Sequence, residues 1–205
     1  MNAPRKRVQA LSPDDRRAAL IQATIPLLVE HGPSVTTRQI ADAAGVAEGT
    51  IFGVFPDKAS LIRAAIIEVF RPEPVVSVVD SLHFIESLRD RMETIAELLM
   101  AGVATRRPLI MAIRSFAGER DRVDPDFMTE MDRGRREIVD AITRAIEPDR
   151  ALLRRSPAEV AQQLLFSIFA TAGPFTRDQP MDAKELVSLL LDGLLIRTTT
   201  GDSPC

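Results

Sequence analysis

Residues 37–56 read TRQIADAAGVAEGTIFGVFP, and the spacing of the apolar residues in this segment restricts the possible fold more than any other feature. Two short helical patterns stand on either side of Gly45, and glycine readily adopts the left-handed conformation that a tight turn between helices needs. Small alanines let two helix axes approach closely, and larger apolar residues form a shared core. The apolar positions are Ile40, Ala41, Ala44, Val46, Ile51 and Val54. The segment predicts two short crossed helices, the second of which, Ala47 to Phe55, projects from the surface.

Helical patterns extend over the whole chain, and apolar residues almost nowhere alternate with polar ones as they do in a half-buried strand. The sequence therefore predicts an all-α fold. In the C-terminal part, prolines divide the chain into helices at about 78–104, 108–118, 125–147, 157–171 and 182–198. The β-branched run Val75 to Val79 leaves an extended segment open as an alternative.

Capping residues predict where the N-terminal helices begin. Ser12 followed by Pro13 gives a capping side chain and a proline in the first helical turn. Thr36, with Gln39 three residues later, fits a capping box. Asp57 is a candidate cap for the helix that follows the 37–56 segment.

The predicted projecting helix carries small and polar residues at its N-terminal end. Such residues can approach base edges in the major groove of DNA, which is wide enough to admit a helix. Hydroxyls, positive charges and free backbone N–H groups at neighbouring helix starts bind phosphates. The candidate DNA-binding residues are Thr36, Thr37, Arg38, Gln39, Ala47, Glu48, Gly49, Thr50, Phe52, Gly53 and Lys58. Double-stranded DNA is therefore the predicted partner of this segment.

The N-terminal part resembles the TetR family of transcriptional regulators over about residues 14–66. The matching residues, in order, are His31-Gly32, Thr36-Thr37, Ile40-Ala41, Ala43-Ala44-Gly45-Val46, Gly49-Thr50-Ile51-Phe52, Phe55 and Lys58. The resemblance implies a three-helix helix-turn-helix domain followed by a helical ligand-binding and dimerisation domain, with about nine helices altogether. It also implies a ligand-responsive regulator, most simply a repressor that binds a near-palindromic operator as a homodimer and is released by a small apolar effector.

Together with the helix-breaking residues in the sequence, the resemblance predicts five segments. They are a flexible basic arm at 1–12, the helix-turn-helix domain at 13–56, a connecting helix at 57–71, the ligand-binding and dimerisation domain at 75–198, and a frayed tail at 199–205. The boundary between the connecting helix and the larger domain rests on two prolines, Pro72 and Pro74, which favour an end to the preceding helix.

Gly53 and Val54 depart from the family pattern, in which an arginine or histidine and a polar or aromatic residue often follow Phe52. A phosphate or base contact is then missing, and Gly53 weakens the helix by roughly 1 kcal/mol relative to alanine. DNA affinity would then depend more on the basic arm Arg5 to Arg7. An alternative is a helical ligand-binding or scaffold protein that has lost DNA binding.

For the larger domain, the family layout implies that the last two long helices pair with those of a second copy. The candidate interface residues are Leu164, Ile168, Leu186, Leu189, Leu190, Gly193 and Leu194. Apolar stripes of this width also suit an intramolecular core, and that alternative remains open.

The family also binds small molecules between the middle helices of this domain. The candidate ligand-binding residues are His83, Phe84, Met92, Met100, Met111, Phe116, Phe127, Met128, Met131 and Phe166. Thioethers adapt to varied apolar shapes, although Met and Phe at helical spacing also form ordinary core.

Composition excludes several other classes of protein. The net charge of −3 argues against non-specific coating of nucleic acid, although the first 60 residues carry seven basic and six acidic side chains. Cys205 is the only cysteine, so neither a disulfide framework nor a cysteine zinc site is expected. The basic N-terminus has no apolar stretch behind it, and no apolar run reaches the ~18 residues of a membrane span, so we expect a cytoplasmic protein with no membrane partner.

Sequence motifs of catalysis are also missing. No HExxH, P-loop, GxSxG or GxGxxG pattern occurs. We therefore expect no enzyme activity, no cofactor and no metal, and a helical enzyme is the least favoured alternative.

Overall fold

The computed structural model describes residues 12–119, 124–171 and 181–194, and for 33, 108, 110–119 and 193–194 it describes the backbone alone. Every regular element in these ranges is an α-helix or a short 3₁₀ helix, which confirms the all-α prediction. The described residues cluster into two compact units. The first takes its residues from Met1–Phe70 and Pro108–Phe127, and the second from Arg71–Arg107 and Met128–Cys205.

The first unit is built on α1 (Pro13–His31), α2 (Thr37–Ala44), α3 (Glu48–Phe52) and α4 (Lys58–Val69). Helix α1 packs against α2 and α4, and α2 packs against α3. The buried side chains that join these helices are Leu20, Leu28, Val35, Ile40, Ala41, Ile51, Phe55, Leu61, Ile62, Ala65 and Ile66. The apolar positions predicted from the 37–56 segment thus include three core residues, Ile40, Ala41 and Ile51.

Each predicted cap in the N-terminal unit is confirmed. The Ser12 side chain accepts a hydrogen bond from the backbone N–H of Asp15, and that of Asp57 accepts one from the N–H of Ser60. Thr36 and Gln39 form both halves of the capping box. These caps satisfy backbone N–H groups that have no partner inside the helix, so each helix begins where its cap stands.

The second unit contains α5 (Glu73–Ser81), α8 (Pro157–Thr171) and α9 (Ala183–Leu194), together with most of α6 (Leu88–Glu119) and α7 (Pro125–Ile146). Its core includes Val79 of α5, Met92 and Ile95 of α6, and Ile142 and Ile146 of α7. Helices α8 and α9 contact each other.

Two helix boundaries near prolines differ from the predicted ones. Pro72 and Pro74 were expected to end the preceding helix, and α4 does end before them at Val69, but α5 already begins at Glu73 rather than at about 78. Pro74 lies in the first turn of α5, where its missing N–H has no intrahelical partner to lose. The run Val75 to Val79 is therefore helical rather than extended. Pro108 was expected to separate two helices, but α6 continues through it as one helix of 32 residues.

Residues 108–127 belong to the first unit, which the sequence pattern does not reveal. Leu109 is buried, and Arg63 of α4 forms an ion pair with Asp124, whose carboxylate lies 3.0 Å from Nε of the arginine. The segment boundaries proposed from sequence remain predictions, because compactness does not measure independent folding.

In the part of the chain that the structure describes, no helix has the length and apolar character of a membrane span. Within the same residues, no cluster of three or more histidine, cysteine or acidic side chains is arranged to hold a metal ion.

Candidate DNA-binding site

The turn between α2 and α3 is held by backbone hydrogen bonds around Gly45. This glycine has a φ of 67°, in the left-handed region, and its N–H donates to the carbonyls of Ala41 and Asp42. The Val46 N–H donates to the Ala41 carbonyl at 3.0 Å. The predicted glycine turn is therefore confirmed, and it brings the chain directly into α3.

Helix α3 is shorter than predicted, because it spans Glu48–Phe52, with Ala47 as its N-cap and Gly53 as its C-cap. Ile51 is fully buried and anchors α3 to the unit. Phe55, just beyond the helix, is also buried, and the Arg17 guanidinium lies 4.4 Å from the centre of its ring. Arg17 is not among the predicted site residues, since nothing in the sequence signals a contact 38 positions away.

The outer face of α3 lies on the surface of the described chain. Glu48, Gly49 and Gly53 are exposed, and Phe52 is 55% exposed. Thr50 is half-buried. A short helix held by a single buried isoleucine and open on its other side has the form that a helix needs to enter a groove of DNA.

The residues predicted to contact phosphates lie at the starts of α2 and α4. Thr36 and Arg38 are exposed, and Thr37, Gln39 and Lys58 are half-buried. The side chains of Thr37 and Lys58 have hydrogen-bond partners inside the protein.

The Thr37 hydroxyl donates to Oε1 of Glu48 at 2.5 Å, which links the start of α2 to the start of α3. The Lys58 ammonium donates to the Val35 carbonyl at 2.5 Å, which links α4 to the segment before α2. Both contacts connect elements that are separate in sequence, and they hold α2 and α3 in position within the unit.

The predicted ligand-binding residues differ widely in burial. His83, Phe84, Met128 and Phe166 are exposed, Met92 is fully buried, and Met100, Phe127 and Met131 are half-buried. The side chains of Met111 and Phe116 lie outside the described residues. The His83 ring nitrogen Nδ1 lies 3.2 Å from the Asp80 carbonyl, so this histidine has a local partner on the surface.

The predicted dimer residues divide into two groups. Leu164, Ile168, Leu186 and Leu190 are buried within the protomer. They have almost no surface left to cover against a second copy and belong to the intramolecular core, the alternative that the sequence left open. Leu189 is 64% exposed, and for Gly193 and Leu194 the structure describes the backbone alone.

An open groove of about 690 Å³ runs beside α7 and α8 in the second unit. Five of its seven lining residues have polar or charged side chains, and the full set is Arg135, Arg155, Glu159, Val160, Gln162, Gln163 and Phe166. Hydrogen bonds from the Ser156 backbone and side chain lower the pKa of the Glu159 carboxyl below its ordinary value. Phe166 is the one predicted ligand-binding residue in this lining.

The first unit thus contains two short helices joined by a tight glycine turn, packed on a long first helix, with the second short helix exposed. These features define a helix-turn-helix domain within an all-helical chain of two compact units. Residues 20–65 match the family model of the bacterial regulatory proteins of the tetR family. This part of the chain is therefore similar to the N-terminal domain of that family.

Several solved structures share the fold along most of the chain. FadR from Thermus thermophilus, a TetR-family repressor in complex with lauroyl-CoA, is 21% identical, with a TM-score of 0.63 over 92% of this chain and 100% of its own. SmeT in complex with triclosan is 18% identical, with a TM-score of 0.59 over 93% of this chain and 98% of its own. The fatty acid degradation regulator FadR from Bacillus halodurans is 15% identical, with a TM-score of 0.61 over 90% of this chain and 95% of its own.

At these identities the likeness is one of fold. No curated protein matches the sequence.

Proposed function

We propose that this protein is a ligand-responsive transcriptional regulator that binds a near-palindromic DNA operator as a homodimer. The observation that carries the proposal is the exposed face of α3, which stands beside the exposed start of α2 in a TetR-family domain. Helix α3 reads bases in the major groove, while Arg38 and Lys58 contact phosphates through positive charge. Thr37 contacts them through its backbone N–H at the start of α2, because its hydroxyl donates to Glu48 and the Thr36 hydroxyl donates to Gln39.

Dimerisation serves this function because a two-fold axis places two reading helices on half-sites about 34 Å apart. The two half-site contacts, each weak alone, then combine into one tight protein–DNA complex. The apolar residues available for such an interface are Phe166 and Phe169 of α8 and Leu189 of α9, which are 70%, 46% and 64% exposed. The proposed interface therefore uses the outer faces of these helices, whose inner faces form the core.

The effector is proposed to be a small apolar molecule that binds in the second unit and releases the protein from DNA. Two structurally similar proteins support this class of compound, since one is in complex with triclosan and another with lauroyl-CoA. Repression is the proposed output, because a bound dimer that leaves DNA on ligand binding relieves a block.

The DNA-binding part of the proposal is tested by selecting bound fragments from a genomic library with the purified full-length protein. The bound fragments are then examined by gel shift against a scrambled duplex of equal length. We expect one near-palindromic motif to be bound well above the scrambled control. If no fragment binds better than the control at low salt, DNA reading is excluded, and a helical ligand-binding protein becomes the better explanation.

The effector part is tested on the selected operator with a panel of lipophilic compounds that includes triclosan and lauroyl-CoA. We expect at least one compound to release the operator and raise the melting temperature, since a ligand stabilises the state that it binds. Coenzyme A without an acyl chain is the control for the apolar group. Operator binding that no apolar compound weakens would contradict the proposed effector class alone.

A further inference from the structure

Glu48 is a negatively charged side chain at the start of the exposed helix α3, where the proposed function brings DNA. It is exposed, and its described partner is a neutral group, the Thr37 hydroxyl at 2.5 Å from Oε1. A carboxylate close to DNA phosphates is repelled by them, so an acidic side chain on a reading helix needs a favourable contact of its own.

The chemistry of the carboxylate limits what that contact can be. An ionised glutamate accepts hydrogen bonds and donates none. In the major groove, guanine presents only acceptors, and thymine presents an acceptor and a methyl group. Adenine presents an amino donor beside the acceptor N7, which repels a carboxylate, whereas cytosine presents its N4 amino donor. Glutamate therefore pairs with cytosine best.

The contact with Thr37 gives the carboxylate a fixed direction. Thr37 is the first residue of α2, and its hydroxyl occupies Oε1, which leaves Oε2 to accept from a base. A long side chain that is held before binding loses less conformational freedom when it binds. Thr37 is thus a positioning residue for Glu48.

The remaining exposed positions of the α3 segment cannot supply the commonest base contact. Gly49 and Gly53 have no side chain to offer, and Phe52 has no polar group. Guanine is usually read by arginine or lysine, and α3 contains neither. Glu48 is the one charged side chain on this helix.

We infer that Glu48 determines operator specificity by accepting a hydrogen bond from a cytosine amino group in each half-site, with Thr37 holding it in place. This inference rests on the proposed DNA-binding function. It names the base that the site recognises.

The experiment selects duplexes from a random library with the full-length protein and then measures Kd for all four base pairs at each position of the selected half-site. We expect one position at which the wild type requires cytosine, with a loss on the order of tenfold to a hundredfold for other bases. Glu48→Gln should move the preference at that position to adenine, because an amide both donates and accepts and so matches adenine N6 and N7.

Asp42→Asn is the matched control, because Asp42 is an exposed acidic residue of α2 and the change removes the same charge. It should shift affinity for all duplexes alike. Thr37→Val should reduce the difference in Kd between cytosine and the other bases at the same position. Thr37→Ser, which keeps the hydroxyl, should retain the difference seen in the wild type.

The possible failures are distinguishable. If the wild type selects no sequence, the proposed function fails and this inference with it. If the wild type selects an operator but Glu48→Gln changes affinity uniformly, as Asp42→Asn does, then Glu48 acts only by repulsion and the inference alone is overturned. An unchanged base preference in Glu48→Gln has the same consequence.

Discussion

Arg91 is a charged side chain buried inside the second unit, with only 4% of its surface exposed. Its guanidinium forms an ion pair with Asp149 and donates to the carbonyls of Ile85 and Glu86. Its Nε has no hydrogen-bond partner among the described residues. A buried charge in this position depends on its counter-charge, because water does not replace a lost partner.

Replacing Asp149 with alanine should therefore lower the free energy of unfolding by about 3 kcal/mol, since it leaves the Arg91 guanidinium buried without its anion. Asp80→Ala is the control. Asp80 pairs with Arg144 through two 2.9 Å contacts, but both side chains are well exposed, and such pairs contribute about 0–1 kcal/mol. Urea unfolding measures the free energy of unfolding of both variants. Equal losses would show that the buried ion pair of Arg91 stabilises the protein no more than the exposed pair does.

Lys58 has a structural contact and a proposed role in DNA binding. Its ammonium donates a hydrogen bond to the Val35 carbonyl, and we also propose that it contacts a phosphate. Lys58→Met keeps the length of the side chain and removes the charge. A phosphate contact predicts weaker binding to all duplexes and a salt slope reduced by about 1. If the melting temperature falls while the salt slope of binding stays the same, then the lysine serves only the structure.

At the scale of secondary-structure elements, local signals explain most of the helix-turn-helix. The capping box of α2, the cap of α4 and the left-handed Gly45 were all predictable, because each depends on residues within four positions of one another. The start of α5 and the continuation of α6 through Pro108 were not predictable, because Pro74 and Pro108 are compatible with both a break and a continuing helix. Which one occurs depends on the packing of the surrounding turns.

The turn between α2 and α3 gives a prediction at this scale. Gly45→Ala places a Cβ on a residue with a φ of 67°, which should cost about 1–2 kcal/mol although no atom lies within 4 Å of that Cβ. Gly49→Ala also meets no atom within 4 Å, but Gly49 lies inside α3 without a positive φ. This control should instead stabilise the protein by up to about 1 kcal/mol. The two midpoints of urea unfolding should therefore shift in opposite directions, and a shared direction would contradict the assignment of Gly45 to the left-handed region.

At the scale of the whole molecule, the proposed homodimer requires a surface that meets a second copy. Phe166→Glu introduces a charge on the outer face of α8, where the side chain is 70% exposed. We expect sedimentation to show a shift from dimer to monomer, with weaker operator binding but an unchanged melting temperature of the isolated protomer, because burying an unpaired charge is costly only in the interface. Leu152→Glu is the control, since Leu152 is 51% exposed and lies outside α8 and α9.

A dimer that survives Phe166→Glu, or that Leu152→Glu disrupts equally, would place the interface elsewhere.

The sequence by itself determined the helix-turn-helix unit, because its caps, its glycine turn and its apolar positions all lie within about twenty consecutive residues. The tertiary structure alone decided which apolar residues of α8 and α9 face inward. Helical periodicity identifies an apolar stripe but not what covers it, so Leu164 and Ile168 proved to be core while Phe166 lies exposed. The tertiary structure also decided the contacts of Thr37 with Glu48 and of Arg91 with Asp149. Residues that are 11 and 58 positions apart meet only when the intervening helices have packed.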